Sequence, residues 1–404
     1  MLKLINILAC LLIFFISFTD AFRFSPWLRL WVVFVVLLFP ISFLYLLYKQ
    51  KFSIKCYQKE DVLIILMFFG LFISSLFNPL IKNFNYLLAY FFIFGVCYLY
   101  LKGIFYNYVD HDRLLKYNTF GVLFVAIFSV LDFFLFYAVN IDIQTIIPRY
   151  RETAASYLGV FRRSYGFSTE PTILGFYFNT LGIIGVWFLW YKFVARMLHK
   201  IILTLLFVLG WLFTFSGAAI PALLFSMTVS CLLIFVKRPA INKKSIPFLI
   251  LLLFIFGFAV VKKNNVYNFF SPIIHKMTLQ QAAEGSRPVR WLHDIKLINE
   301  SPIFGHGPGY ASVSERGSSV NWYLFLTMEG GLVTSLPIIF FLIFSFFRIY
   351  SSNIPGKIWF MSAFLAGSIH LAAISTFFHP FLWMLLIIFT LHQKQAYYNR
   401  YVSI

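Results

Sequence analysis

Leu212-Phe213-Thr214-Phe215-Ser216-Gly217-Ala218-Ala219 joins two apolar runs, 200–214 and 216–236, and how this junction is read decides the fold. A membrane-crossing helix takes about 20 apolar residues. The two runs therefore make either one broken helix or two crossings joined by a tight turn. Gly217 supplies backbone freedom for a turn. If the runs were one broken helix, every later segment would change sides of the membrane.

Charge decides for two crossings. The same length criterion, carried outward, marks twelve spans: 3–19, 26–48, 61–77, 84–105, 114–139, 171–194, 200–214, 216–236, 245–261, 322–347, 357–377 and 380–393. With both termini in the cytoplasm, Lys49, Lys51, Lys55 and Lys59 fall inside, then Lys102, Arg113 and Lys116, then Lys192, Arg196 and Lys200. Lys237, Arg238, Lys243 and Lys244 follow, and finally Arg348, Lys357, Lys394 and Arg400. The short connections on the other side hold only Arg23, Arg29 and Lys82, the asymmetry expected when basic loops stay inside. The expected fold is all-α, a polytopic integral membrane protein with one transmembrane domain over 1–404. Its expected location is a membrane that it crosses many times.

Composition agrees. The 404 residues are 61% hydrophobic and 12% charged, with a mean hydropathy of +0.84, against about 25% charged for soluble domains. Much of the +19 net charge is topological, so no nucleic acid is needed to explain it. Cys10, Cys56, Cys97 and Cys231 lie in or beside spans or on an inner connection, which gives no disulfide framework and suggests no redox chemistry. Met1 to Thr19 has the look of a signal peptide, but another apolar run follows closely without an Ala-x-Ala site, so a retained first helix is expected.

Two outer connections, 140–170 and 262–321, are long and basic, which topology does not require. The first holds Arg149, Arg151, Arg162 and Arg163. The second holds Lys262, Lys263, Lys276, Arg287, Arg290, Lys296 and Arg316. Arginines suit an anionic partner, above all a phosphate, because planar guanidinium donors grip its oxygens two at a time. Gly305, Gly307 and Gly309 then allow a backbone turn that few other residues could make.

The order Gly285-Ser286-Arg287-x3-Trp291, Ser301-Pro302-Ile303-Phe304-Gly305-x-Gly307-x-Gly309, Asn321-x-Tyr323-Leu324 and Glu329-Gly330-Gly331-Leu332 resembles the O-antigen polymerase and ligase superfamily. Arg163-Ser164-Tyr165-Gly166-Phe167-Ser168-x-Glu170-Pro171 is similar to a segment that precedes a span in the same proteins. The resemblance implies a metal-independent, glycosyltransferase type C-like enzyme that needs no cofactor. Its substrates would be an oligosaccharide donor and acceptor carried on undecaprenyl pyrophosphate, with membrane lipid and a chain-length regulator as further partners. By the same resemblance Arg163 and Arg287 would hold the pyrophosphate, with Arg290 as a helper. In the ligases a histidine commonly precedes the Asn-x-Tyr-Leu segment. Here Val320 stands there, which favours polymerase and leaves ligase as the alternative. The Ser-Arg pair usual at the start of a middle span reads Thr214-Phe215-Ser216-Gly217, so a third cation is in doubt there.

A sugar hydroxyl attacks well only when a positioned base takes its proton. Glu170, at the outer start of a span, and His306, between two turn glycines, are the candidates. The bland alternatives are a helix-start carboxylate and a polar loop residue. Asp132, Glu329, His370 and His379 fall inside spans, where ionisable groups face a cavity or a partner. They keep a transporter or flippase of lipid-linked sugars as a second alternative. Its weaknesses are the lack of an evident internal repeat and the concentration of arginines in two outer loops. The chain has no phosphate-binding Walker loop, dinucleotide glycine fingerprint, zinc-spaced Cys/His cluster or Asp-x-Asp pair.

Overall fold

The apolar runs become helices. A computed structural model describes residues 1–22, 28–49, 53–147, 157–158, 161–237, 287–313, 320–374 and 378–402. Its helices are α1 (Leu2–Phe15), α2 (Leu30–Lys49), α3 (Asp61–Phe77), α4 (Asn83–Tyr108), α5 (His111–Val139) and α6 (Pro171–Phe193). Then come α7 (Met197–Leu212), α8 (Ala219–Lys237), α9 (Arg287–Glu300), α10 (Trp322–Ser351), α11 (Lys357–Leu371) and α12 (Phe381–Val402). Eleven of the twelve expected spans overlap one of these helices, and the other, 245–261, lies outside the described residues. Among the described residues, α2, α4, α5, α6 and α10 are long and apolar enough to cross a membrane, while α1, α3, α7 and α8 are shorter apolar helices. Among the described residues the chain is helical and of membrane-protein character, apart from one small antiparallel ladder that pairs Tyr157 with Arg162 and Leu158 with Phe161.

Local chemistry sets several boundaries. Asp110 caps α5 by accepting the Arg113 amide at 2.9 Å, and Asn140 ends it in the left-handed region. Asn321 caps α10 through the amides of Tyr323 and Leu324, at 3.0 and 3.3 Å. Pro171 takes the first position of α6, where its missing N–H costs nothing. The junction that decides the fold is a true break. α7 stops at Leu212, Phe215 has a positive φ of 42°, and α8 starts at Ala219.

Packing sorts the helices into inner and outer. The membrane-length window of α6 is buried throughout, and the first half of α12 is buried as well, so these two helices form the centre. At the periphery Phe120, Phe124, Ile127, Leu131 and Phe134 make an exposed stripe along α5 at helical spacing. Val62, Ile65, Phe69, Phe72 and Leu76 do the same on α3. In water these stripes would be unfavourable, whereas lipid tails are as apolar as leucine. Hydrogen bonds between helices supplement the packing inside, worth about 0.6–2 kcal/mol each in such a setting. Asn118 reaches the Leu181 carbonyl at 3.0 Å, and Asn179 accepts from the Trp211 indole at 3.0 Å while donating to the Ala219 carbonyl at 2.8 Å.

Polar contacts gather the connections into two ends. At one end Asn6 meets Tyr108 and Asp110, Lys192 meets Asp112, His392 meets His111 and Pro355, and Arg348 pairs with Glu60. At the other, Asp20 meets Arg29 and Thr169, Ser164 meets Phe213, and Gly305 meets Asn78. Lys102 is a special member of the first end, fully buried with its Nζ 2.5 Å from Asp61, which also accepts from the Tyr98 hydroxyl at 2.7 Å.

Candidate functional site

The glycine loop is built onto a broken helix. Gly331 of α10 has φ 65° and ψ −172°, which opens the helix after its second turn and frees backbone groups of 328–333. The loop after α9 takes them up. The amides of His306 and Gly307 donate to the carbonyls of Met328 and Glu329, both at 2.9 Å, and the Leu332 amide donates to the Pro302 carbonyl at 2.9 Å. The two backbones lie so close that a Cβ on Gly331 would sit 2.0 Å from the Ile303 carbonyl oxygen. Only glycine fits both that contact and that φ. From α3, Ser74 donates to the Glu329 carbonyl at 2.8 Å and Asn78 to the Gly305 carbonyl at 3.0 Å.

Glu329 closes this assembly. Its side chain is fully buried, and Oε1 accepts the Gly309 amide at 2.9 Å, while the Tyr90 hydroxyl lies 3.5 Å from Oε2. The partner that an intramembrane carboxylate requires is thus the loop backbone itself. His306 is half-buried, with Nε2 2.8 Å from the Leu297 carbonyl of α9 and its ring stacked on Tyr310 at 4.7 Å between centroids. A carbonyl only accepts, so Nε2 is the donor in this contact.

The two consecutive arginines of the first loop go to different partners. Arg162 lies 3.8 Å from Asp132, pairs with Asp142, and stacks on the Phe136 ring at 4.4 Å. Gln144 donates to Asp132 at 2.6 Å, and the Tyr137 hydroxyl accepts the Arg162 amide at 2.6 Å. This network ties the ladder to the end of α5. Arg163 is buried and donates from Nε to the Thr214 carbonyl at 3.1 Å, in the break between α7 and α8. Where a third cation was in doubt, the break instead gives a carbonyl that orients Arg163.

Glu170 occupies the cap position of α6, is exposed, and makes no capping bond with its side chain. Its backbone carbonyl, not its carboxylate, serves the helix by accepting the Ile173 amide at 3.1 Å. Beside it, Thr169 donates to Asp20, which pairs with Arg29 at 2.8 Å and faces His379 Nε2 at 4.0 Å. His370 stacks on Phe176 of α6 at 5.2 Å. Arg290 is an exposed residue of α9, which packs on α10. Arg287 is the first residue of α9, and its side chain lies outside the described residues.

Arg163, Glu170 and the loop carrying His306 thus share one end of the bundle, on separate elements. Sequence reasoning missed Asp20 and the different tasks of Arg162 and Arg163. The usable signals were a lone aspartate at a span end and the Arg162-Arg163 doublet. Among the described residues no group of three His, Cys, Asp or Glu is placed to hold a metal ion. No protein-family model matches the chain, and no curated protein matches it.

Proposed function

We propose that the chain is a metal-independent glycosyltransferase of the bacterial inner membrane, an O-antigen polymerase or the polymerase of a related surface polysaccharide. In this proposal it crosses the membrane twelve times, keeps both termini in the cytoplasm, and has a glycosyltransferase type C-like architecture. The acceptor sugar hydroxyl attacks the anomeric carbon of the donor chain. The bond to the pyrophosphate oxygen breaks, and undecaprenyl pyrophosphate leaves with the electron pair. The hydroxyl proton passes to a base, Glu170 or His306. Arg163 and Arg287, with Arg290 as a helper, neutralise the departing phosphate charge.

The observation that carries the proposal is the setting of Arg163. It is a buried guanidinium held by the Thr214 carbonyl, seven residues before a carboxylate that its own helix leaves unused. A cation fixed in place and a carboxylate left unused by its own helix, on the same connection, are the two groups that transfer from a pyrophosphate requires. The glycine loop at the same end adds a rigid wall from the second basic connection.

Deleting the gene and resolving the surface glycolipid on a gel tests the proposal. A single repeat on the core supports polymerase. Core without any repeat points to the ligase alternative or to transport of the lipid-linked sugar, and an unchanged ladder rejects all three. Independence from a proton gradient in a reconstituted assay separates polymerase from transporter.

A further inference from the structure

At the end of the bundle opposite the glycine loop, a cavity of about 280 Å³ opens between the start of α5 and the last turns of α12. Tyr106, Asp110, His111, Asp112, Lys394 and Gln395 line it. We propose that this cavity binds the ethanolamine phosphodiester headgroup of a membrane phospholipid, Asp110 taking the ammonium and Lys394 the phosphate.

The charges select that chemistry. Asp112 is engaged on both oxygens, by His111 Nδ1 at 3.1 Å and by Lys192 Nζ at 2.7 Å. Asp110 is held more loosely: its Oδ1 accepts the Arg113 amide, and its Oδ2 has only a long 3.9 Å ion pair with the Arg113 guanidinium, both side chains being well exposed to solvent. Its side chain is half-exposed, so the free lone pairs are accessible. Lys394 donates once, to the Tyr106 carbonyl, which leaves two N–H groups for a ligand. An anionic headgroup without an amine would face an Asp110 carboxylate matched only by its loose pair with Arg113, and an amine without a phosphate would leave Lys394 unmatched. A group bearing both charges satisfies both walls.

The setting selects the source. Tyr397 and Tyr398, both well exposed, lie within about one turn of Lys394, and Tyr48 is exposed at the end of α2. Exposed tyrosines of this kind favour the headgroup layer, where one end of the ring is apolar and the other wet. The back wall is firm, since His392 bridges His111 at 3.2 Å and the Pro355 carbonyl at 3.0 Å.

The test is native mass spectrometry of the purified full chain titrated with phosphatidylethanolamine, phosphatidylcholine and phosphatidylglycerol, each with the same acyl chains. Choline keeps the charge but has no N–H, and glycerol keeps only the phosphate. The ethanolamine lipid is expected to bind about tenfold more tightly than either, the equivalent of one charge-assisted hydrogen bond. Asp110→Asn removes the charge but keeps the helix cap, because asparagine caps as well as aspartate. That variant should lose the preference, and Lys394→Gln should weaken all three lipids. Equal binding of the three, or an unchanged preference in Asp110→Asn, overturns the proposal. Soluble glycerophosphoethanolamine is the remaining arm. Failure to compete assigns the site to a lipid, and competition at equal concentration overturns the lipid source.

Discussion

The Glu329 carboxylate accepts the backbone amide of Gly309 at 2.9 Å, across twenty residues of sequence, in a place with no access to solvent. An ionisable side chain here serves as a clasp between the broken start of α10 and the glycine loop. Its replacement should separate shape from bonding. Glu329→Gln keeps a carbonyl acceptor and should stay near the parent in thermal unfolding. Glu329→Leu strands a buried N–H and should cost about 1–3 kcal/mol. Equal melting of the two variants would show that this bond does not hold the loop.

Arg163→Ala and Arg287→Ala should each abolish chain elongation in a protein that is still folded and inserted. Lysine at either position should restore only part of the activity, because a point charge attracts phosphate without the two-pronged grip. Full elongation by an alanine variant at matched expression removes that arginine from the proposed pyrophosphate site.

The two candidate bases differ in what the fold already asks of them. Glu170 makes no capping bond with its side chain, whereas His306 holds α9 through Leu297. If Glu170 is the base, Glu170→Gln should lower turnover by about 10²–10⁴ while donor binding survives. His306→Ala should then act mainly on stability. The opposite ranking in a turnover assay moves the base to the glycine loop, and normal turnover in both variants leaves neither as the base.

Lys102 and Asp61 form a fully buried pair. Asp61→Asn leaves an ammonium without its carboxylate and should cost about 3–5 kcal/mol, a loss that Asp61→Asn with Lys102→Met should largely recover. Chemical unfolding of the two variants and the parent measures both. A double variant no better than the single one would deny that the unpaired charge causes the loss.

A topology reporter fused after Lys244 should report the cytoplasm and one near Ser286 the opposite side, both positions lying outside the described residues. The expectation rests on the basic connections and on the break at Phe215. Reporters on the same side would defeat the twelve-span topology.

The sequence by itself determined where the helices run and where several of them stop. Apolar run length, a cap such as Asp110 or Asn321, and a breaker such as Pro171 or Gly217 act within a few residues of backbone, so they are legible one segment at a time. The basic side of each connection is local in the same sense. It also marked Arg163, Glu170 and the glycine loop as exceptional. Tertiary structure decided what those residues do. That Arg163 turns to Thr214 while Arg162 turns to Asp132 and Asp142, that Glu329 holds Gly309, and that Lys102 is a buried partner and not a free loop charge depend on how each helix is rotated and which neighbour it meets. Those choices are made by packing between segments tens to hundreds of residues apart, where a buried polar group must find its partner or forfeit stability.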